Sequence, residues 1–484
     1  MPRAFLTAVI VLLVLSTVLP AIPVIRAASP ATLVVDDDGQ ASPTDCDATD
    51  TAYNSIQAAI YAASDGDEIV VCPGTYHEQI TINKNGLKVR SFDGSAVDGS
   101  PDTVIEPGEL VPAAVVISGN DNEFVGFYIK DSTTGHPHAH RGIFVQGDRN
   151  IVKNNLIEGR GNVGDADVGI LVRGAGVGDG VARDNQILHN NVKNIFDGIQ
   201  SVSVAPNNAA SGTKVQFNYV HDVFHVGIAA DRTPDTIIMF NEAVRNGIGI
   251  YYRSDPALSG AGTIVRCNNI YDNSLYDAQN MATDGSILLA ELNWWGSPGG
   301  PAPGKISGVV DYDPWLPFRW EEIGCDGVVT VGRITGGGFI VGNMTVRSNG
   351  TVTTVTVRLN FGFILHCDVS KSPNNLQIDW RPLPGGPIHI FHLTNMETGF
   401  CLETDADQGM PLASFDTHIG YGTGRFKVGS SPWQTASVRW RFVDAGEPGK
   451  DTDELFIVIV SSAATYVISG RISGGNIQAH EDDP

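Results

Sequence analysis

The chain has 484 residues and a formal net charge of −23 at neutral pH. A field of that sign repels nucleic acid and anionic membrane surfaces, so we expect neither as a partner. An acidic surface suits a neutral sugar polymer or calcium, whereas a polyanionic sugar chain needs a local cationic site or bound calcium.

The first 28 residues have the layout of a secretory signal peptide. A basic tip at Arg3 is followed by an apolar run over residues 4–19 and by small residues at Ala27 and Ala28. The run is short for a membrane span. An uncleaved anchor is the alternative, because Arg26 lies beside the expected cleavage point. We predict an exported protein, secreted or held at the cell surface, with no membrane span after cleavage.

Cysteine usage agrees with export, because six cysteines in an exported chain are expected to form disulfides. Many pairings are possible, and proximity along the chain favours three of them: Cys46 with Cys72, Cys267 with Cys325, and Cys367 with Cys401. No pair has the spacing of a structural zinc site.

Residues 53–91 begin with a helical pattern and continue as short strands. Ile56, Ala59 and Ile60 recur at helical spacing, and the turn residues 64–67 end that helix. Three apolar pieces separated by turn residues follow. A helix that leads into short, evenly spaced strands predicts a cap over the first coil of a β-solenoid.

The amino-acid sequence of this stretch also resembles that of a known family. The residues concerned are Ser55, Ile56, Gln57, Ala58, Ile60, Gly66, Asp67, Pro73, Gly74, Thr75, Tyr76 and Glu78. They resemble the N-terminal cap and first rung of right-handed parallel β-helix proteins, the pectate-lyase-like superfamily. The resemblance implies an all-β chain with a right-handed parallel β-helix over residues 31–320, and it implies little about chemistry.

From residue 115 onward two short units alternate. The asparagine units, each followed by alternating apolar residues, begin at Asn154, Asn185, Asn218, Asn241, Asn268 and Asn293. The Gly-Ile pairs begin at Gly142, Gly169, Gly198, Gly227 and Gly247. We expect stacked coils with apolar side chains inside and asparagines in a hydrogen-bonded ladder. A leucine-rich repeat is excluded because its leucine consensus is absent.

The loops before the Gly-Ile pairs are the most polar parts of the coils. Coils in register lie about 4.8 Å apart, which aligns the residues before successive glycines in one row. The predicted catalytic row contains His140, Arg141, Asp167, Asp197 and His225. Imidazoles and carboxylates in a row suit proton transfer or cation binding. Ordinary polar turns are the open alternative.

Residues of later loops extend this predicted site. Arg232 is assigned to the catalytic set and Arg253 to substrate binding, because a guanidinium neutralises a uronate carboxylate. His189, His221 and Asp222 are also predicted to bind substrate.

Known catalytic motifs of β-helix enzymes are absent. The chain lacks the Asn-Thr-Asp and Gly-His-Gly motifs of polygalacturonase-like proteins and the Asp-Pro-His-Glu motif of alginate epimerases. Arg232-Thr233-Pro234 matches only part of the pectate-lyase Arg-x-Pro-x-x-Arg pattern, because the second arginine is missing. Catalytic roles are therefore not transferred, and whether the chain is an enzyme stays open.

Three histidines offer a different chemistry. His136, His138 and His140 share one face if their segment is extended, which suits a transition metal. A solvated loop with chance histidines is the alternative.

The array closes over residues 292–316, which resemble the ending of secreted parallel β-helix proteins. Trp294, Trp295 and Trp315 lie there among Gly-Pro turns. We interpret them as a plug over the last coil. A sugar-stacking platform is the alternative.

Alternating strands divided by Gly, Pro and Asn turns then predict an antiparallel β-sandwich over residues 326–484. Residues 336–339, 375–379, 444–453 and 474–478 resemble an accessory sandwich domain of secreted bacterial proteins.

One turn of this unit is crowded with carboxylates. Asp444, Glu447, Asp451 and Asp453 lie within ten residues, and oxygen ligands this close together suit calcium. An ordinary acidic turn is the alternative. Calcium is the one cofactor that the sequence suggests.

Together these patterns predict an exported, monomeric, two-domain protein. Its coil face would recognise, and as an enzyme cleave or epimerise, an extracellular polysaccharide or cell-surface glycan. The alternative function is a non-catalytic adhesion or structural module on the same fold.

Overall fold

The structure is a computed structural model of the chain. It describes residues 29–97, 102–107, 112–130, 141–160, 167–174, 180–323, 325, 328–329, 331–404 and 413–481. The predicted signal peptide lies outside these residues, as do His136, His138 and His140. Within the described ranges, no helix has the length and apolar character needed to cross a membrane.

Short strands stack in parallel between residues 32 and 311. One sheet has eleven strands: Thr32–Val35, Glu68–Val71, Lys88–Ser91, Glu123–Val125, Ile151–Lys153, Gln186–Leu188, Lys214–Gln216, Ile237–Met239, Ile264–Arg266, Leu288–Leu289 and Val310–Asp311. A second has nine strands: Ile80–Ile82, Val115–Ile117, Arg141–Val145, Val168–Val172, Asp197–Val202, Val226–Asp231, Ile248–Arg253, Tyr276–Asn280 and Ile306–Ser307.

A third sheet completes each coil. Its eight strands are Gly74–Tyr76, Thr103–Ile105, Tyr128–Lys130, Leu156–Glu158, Asn191–Lys193, Tyr219–His221, Glu242–Val244 and Asn269–Tyr271. A side pair joins Val181–Arg183 to Ala209–Ser211. One continuous apolar core runs through the coils, so the parallel β-helix prediction is confirmed.

The helix Ile56–Ala62 caps the first coil, as predicted. The Glu78 carboxylate accepts hydrogen bonds from the Ser55 hydroxyl at 2.8 Å and from the backbone N–H groups of Ile56 and Gln57 at 2.7 and 3.0 Å. A carboxylate at a helix N-terminus satisfies orphan donors and complements the helix dipole. Glu78 is therefore part of the cap.

The predicted asparagine ladder forms inside the corner between the eleven-stranded and eight-stranded sheets. Each Nδ2 donates to the next Oδ1 at 2.9–3.0 Å along Asn155, Asn190, Asn218, Asn241, Asn268 and Asn293. The membership differs from the prediction at one rung, because Asn190 replaces Asn185. Asn185 belongs to a second ladder with Asn122 and Asn150.

The Gly-Ile repeat follows from close contact between neighbouring coils. A Cβ on Gly142 would lie 2.6 Å from the carbonyl oxygen of Gly169, and one on Gly198 would lie 2.3 Å from that of Gly227. Only glycine fits this approach. In the last predicted pair the register places Ile250 opposite Ile228, so the pair is Gly249-Ile250 and the predicted Gly247-Ile248 is wrong.

The disulfides match the pairs that proximity favours. Cys46 is bonded to Cys72, Cys267 to Cys325, and Cys367 to Cys401.

The C-terminal unit is a closed barrel, and the β-sandwich prediction is wrong. Its eight antiparallel strands are, in ring order, Arg333–Ser348, Thr351–His366, Asn375–Pro382, His389–Leu402, Thr417–Val428, Gln434–Val443, Glu454–Val460 and Thr465–Arg471. The last pairs with the first. Val328–Val329 and Gly474–His480 add to this ring. Closure leaves no pair of open edges between two separate sheets.

An apolar cluster joins the barrel to the last coils. Leu316 and Phe318, beside the short helix Trp320–Ile323, pack with Phe400 and Ile419 of the barrel. The guanidinium of Arg439 lies over the Phe318 ring at 4.6 Å. The end of the solenoid is thereby covered by the barrel.

The three predicted plug tryptophans lie at this end. Trp294 and Trp295 are buried, and Nε1 of the partly buried Trp315 donates to the carbonyl of Pro298 at 2.9 Å. Buried rings expose no face for a sugar, so these residues favour the plug over the platform.

We predict that Asn241→Ala destabilises the solenoid by roughly 3 kcal/mol, because it strips partners from several buried polar groups. The Asn241 amide donates to the carbonyl of Val215 and accepts from Asn218. Urea unfolding followed by far-UV circular dichroism measures the loss. Asn83→Ala, at an exposed turn, is the control and should change little. Equal midpoints for both variants would contradict the ladder's role.

Candidate functional site

The predicted catalytic row divides into two neighbouring positions. Arg141 lies in register with Val168, and Val168 with Asp197. In the same register Val226 lies opposite Asp197. Asp167 comes one residue before Val168, and His225 comes one residue before Val226. His140 lies outside the described residues. Asp167 and His225 therefore share one column and Asp197 belongs to the next, so the single-row prediction is wrong by one residue.

Asp197 and His225 nevertheless meet at the corner that leads into the nine-stranded sheet. Nδ1 of His225 lies 2.9 Å from Oδ1 of Asp197, and the same oxygen accepts the backbone N–H of Val226 at 3.0 Å. Asp197 is buried, whereas the His225 side chain is 48% exposed. The Phe196 ring stacks on the imidazole with centroids 5.1 Å apart.

This geometry fixes the protonation of the imidazole. An ionised carboxylate only accepts hydrogen bonds, so Nδ1 carries the hydrogen that Asp197 receives. Nε2 is then the basic nitrogen, and none of the described residues hydrogen-bonds to it. The hydrogen bond to Asp197 raises the pKa of His225, against the opposing effect of burial. The pair has the arrangement of a general base held by a carboxylate.

His221 and Asp222 form a separate, closed network. Nδ1 of His221 lies 2.5 Å from Oδ2 of Asp222, and its Nε2 lies 3.1 Å from Oδ1 of Asn191. Arg245 binds both oxygens of Asp222 at 2.8 Å and, with help from His221, holds the pKa of that carboxyl at about 2. Both nitrogens of His221 are occupied, so this group is built for stability rather than proton transfer.

Arg232 and Arg253 lie at the far ends of their strands. Nε of Arg232 donates to Oδ1 of Asp231 at 2.8 Å, and its Nη1 lies 3.7 Å from Asp255. Arg253 lies in register with Asp231. About seven extended residues, roughly 20 Å, separate Arg232 from His225. The prediction that Arg232 joins the catalytic set is therefore not supported by distance.

His189 lies at a third corner, away from both groups. Its ring stacks on Phe217 with centroids 4.8 Å apart, and Phe217 stacks on Phe240 at 4.9 Å. One face of the His189 ring is therefore covered by Phe217. His189 is thus part of an aromatic column and not of the Asp197–His225 corner.

Arg141 contributes to a cationic site on the outer face of the nine-stranded sheet. The guanidinium carbons of Arg141 and Arg173 lie 4.9 and 5.5 Å from the Phe144 ring centroid. Burial lowers the pKa of both. Their Nε atoms are buried without a hydrogen-bond partner among the described residues. Two cations held this way offer an anion site in an acidic protein.

The predicted calcium turn serves another purpose. Asp453 accepts the backbone N–H groups of Ala445 and Ile477 at 3.0 and 2.6 Å, and Asp444 accepts that of Ala479 at 2.9 Å. The Glu447 carboxylate accepts from the Asn476 amide at 2.8 Å.

Asp451, the fourth carboxylate of the turn, is 73% exposed. In the described ranges no three His, Cys, Asp or Glu side chains are grouped to hold a metal ion. The carboxylates of Asp444, Glu447 and Asp453 accept backbone or side-chain amides, and Asp451 points to solvent. Calcium binding by Asp444, Glu447, Asp451 and Asp453 thus stays a prediction, and these contacts favour the ordinary acidic turn.

Sequence reasoning missed the aromatic and arginine partners of these groups. Phe196 lies between Asp167 and His225 in the same column. All three residues lie two positions before the glycine of their Gly-Ile pair, so the spacing identifies Phe196. Arg245 stands one coil after Asp222 and follows from the same count. Arg173 carried no signal, since it lies at the end of a strand and not in a loop before a glycine.

Comparisons with known proteins give the context of the fold. No protein-family model and no curated protein matches this chain. Among solved structures, pectate lyase Pel9A is 14% identical, with a TM-score of 0.42 over 60% of this chain and 78% of that one. An alginate lyase from Paenibacillus sp. str. FPU-7 is 15% identical, with a TM-score of 0.35 over 58% and 99%.

The Dettilon tailspike protein is 12% identical, with a TM-score of 0.29 over 89% of this chain and 95% of that one. At these values the likenesses carry no argument about what this chain does. The strand pairing itself defines the molecule as a parallel β-helix protein with a C-terminal barrel.

We predict that His225 titrates above the ordinary histidine value of about 6.5 and that Asp197→Asn lowers its pKa. Because the folded-state pKa is raised, the pair stabilises the fold fully below about pH 6.5 and loses this contribution as pH rises through that pKa. Imidazole NMR signals report both titrations. His418, whose pKa burial lowers to about 4, should be unaffected by the variant. An unchanged His225 titration would refute the pairing.

A second pH dependence is expected in the barrel. Burial, with repulsion from Asp444 and Glu447, raises the pKa of Asp453 to about 6. Since the unfolded value is about 3.9, the folded barrel binds the extra proton and is stabilised as pH falls from about 6 to 4. By calorimetry, the melting temperature of the native protein should rise relative to Asp453→Asn on acidification. Asp451→Asn is the exposed control, and it should track the native protein.

Proposed function

We propose that the solenoid binds an extracellular polysaccharide at the corner carrying Asp197 and His225, and that His225 is the general base in a reaction on that polymer. The carrying observation is the Asp197–His225 hydrogen bond, which leaves Nε2 exposed and basic. A base near the operating pH and within reach of its substrate is what proton transfer requires.

The surroundings of the imidazole favour a sugar. Phe196 stacks on it, and Phe224, the residue before it, is 38% exposed. Aromatic rings present large apolar surfaces, and the C–H face of a sugar ring packs on such surfaces. A stack of coils also repeats its surface every 4.8 Å or so, which suits a long polymer more than a compact ligand.

The cationic site supports a polymer that contains uronates. Arg141 lies in the register of Asp197 two coils away, at roughly 10 Å. With Arg173 it offers guanidinium groups to a carboxylate on a neighbouring sugar. Removal of the proton beside a uronate carboxylate leads to chain cleavage by elimination or, after reprotonation, to epimerisation. Water activated by His225 leads to hydrolysis instead.

Export is part of the proposal. Three disulfides support an oxidising compartment outside the cytoplasm, since disulfides are rare where thiols are kept reduced. A polymer of the cell surface or its surroundings is then the accessible partner.

A non-catalytic structural or adhesion module is the second candidate. Asp197 also binds the backbone N–H of Val226, a purely structural contact, and the His221 and Arg232 groups are closed on themselves. The buried junction with the barrel suits a rigid spacer.

We predict that the protein turns over a uronate-containing polymer and that His225→Ala lowers turnover by about a hundredfold or more while binding is retained. The panel is polygalacturonate, alginate, chondroitin and a neutral glucan, followed by absorbance of unsaturated products, reducing ends and sugar stereochemistry. Asp197→Asn should shift the pH profile of turnover towards lower pH, because it lowers the pKa of the base.

The control is His77→Ala, which removes an exposed histidine of the first coil. Normal turnover by this variant excludes a general effect of losing a histidine. If the native protein leaves every polymer intact, the catalytic proposal fails and the structural module takes its place.

A further inference from the structure

The barrel carries an aromatic and cationic group on its outer surface, distant in sequence from the solenoid site. Trp433 is 41% exposed. The guanidinium carbon of Arg425 and the ammonium of Lys427 lie 4.9 and 4.6 Å from its ring centroid. The His392 ring lies 5.4 Å away, tilted by 45°. We call these four residues the Trp433 patch.

Strand geometry decides which way the patch faces. Arg425 and Lys427 flank Phe426, which is fully buried in the barrel core. Side chains alternate along a strand, so both cations point outward on the same side. Both cations lie against the Trp433 ring, and this side chain keeps 41% of its surface exposed to solvent.

The cations of the patch contact aromatic rings and not carboxylates among the described residues. Neither Arg425 nor Lys427 forms an ion pair with a carboxylate of the described residues, and Arg425 Nη2 instead lies 3.3 Å from Nδ1 of His392. Burial lowers the pKa of His392, and the charges of Arg425 and Lys427 lower it further. Asp379, two strands from Lys427, already accepts from Asn360 at 2.9 Å.

Two neighbouring positive charges repel each other and lower stability unless an anion or a ring offsets the repulsion. The protein as a whole is acidic, with a net charge of −23. The patch is thus a local reversal of the field. A guanidinium and an ammonium side by side suit a carboxylate or sulfate oxygen. An exposed indole face suits the C–H face of a sugar ring.

From this combination we propose that the Trp433 patch binds an acidic sugar of an extracellular glycan, through stacking on Trp433 and pairing of its carboxylate or sulfate with Arg425 and Lys427. The barrel is then a glycan-binding domain in its own right. Nucleic acid also combines flat rings with anions, but its denser charge is opposed by the rest of this acidic surface.

The test uses the full chain and measures binding by Trp fluorescence and calorimetry at low salt. The probes are polygalacturonate for carboxylates, chondroitin sulfate for sulfates, a neutral dextran and a single-stranded DNA oligomer. We expect one acidic glycan to bind more tightly than dextran or DNA, and its identity distinguishes carboxylate from sulfate. Trp433→Ala and the double variant Arg425→Gln/Lys427→Gln should each weaken binding by roughly tenfold.

The matched control is Arg347→Gln/Lys450→Gln, which removes two exposed charges elsewhere on the barrel and should bind as the native chain does. Trp433→Phe should retain part of the affinity because it keeps a ring. Native affinity in both Trp433→Ala and the double variant, or stronger binding of DNA than of either glycan, would overturn the proposal.

Discussion

Stacking of side-chain amides inside the coil is the interaction on which the solenoid depends. Each ladder asparagine donates to a neighbouring amide and to a backbone carbonyl, as Asn218 does to Asn241 and Ile187. The residue before it takes a left-handed conformation, with φ of 58° at Phe217 and 61° at Phe240. Such backbone costs about 1–3 kcal/mol for a non-glycine residue and persists only where its surroundings fix it. The buried amides supply that constraint.

The same device fixes the candidate site. At the corner before the nine-stranded sheet, the backbone N–H of Val223 donates to the Asn246 side chain, and that of Asn246 donates to Asn273. Val223 lies two residues before His225, so the ladder anchors the loop that carries the imidazole. The proposed base is therefore held by Asp197 from one coil, and its loop is anchored by the amide ladder from the next. The proposed proton transfer would need this preorganisation.

Much of this was accessible from the sequence, and the failures have physical causes. Repeated Asn and Gly-Ile units predicted the coils because each coil makes the same contact with the next coil through the same residue type. The predicted repeat positions were wrong at Asn185 and at Gly247. Loops of varying length leave two asparagines or two glycines that fit the repeat equally well, and only the stacking of the coils selects one of them. Barrel closure depends on pairing between the strand Thr465–Arg471 and Arg333–Ser348, a contact between distant parts of the chain that alternation alone does not encode.

Charge connects the two proposed sites. In a chain of net charge −23, cations without carboxylate partners among the described residues occur at Arg141 with Arg173 and at the Trp433 patch. Under the two proposals, an acidic polymer would be attracted at these two sites against the net negative field of the protein. The buried junction around Phe318 and Phe400 keeps the solenoid site and the Trp433 patch at a fixed distance from each other. A polymer long enough to reach both gains from the effective concentration that the first contact creates, whereas a short oligomer does not. Affinity that rises with polymer length and falls steeply with salt is the signature of that arrangement.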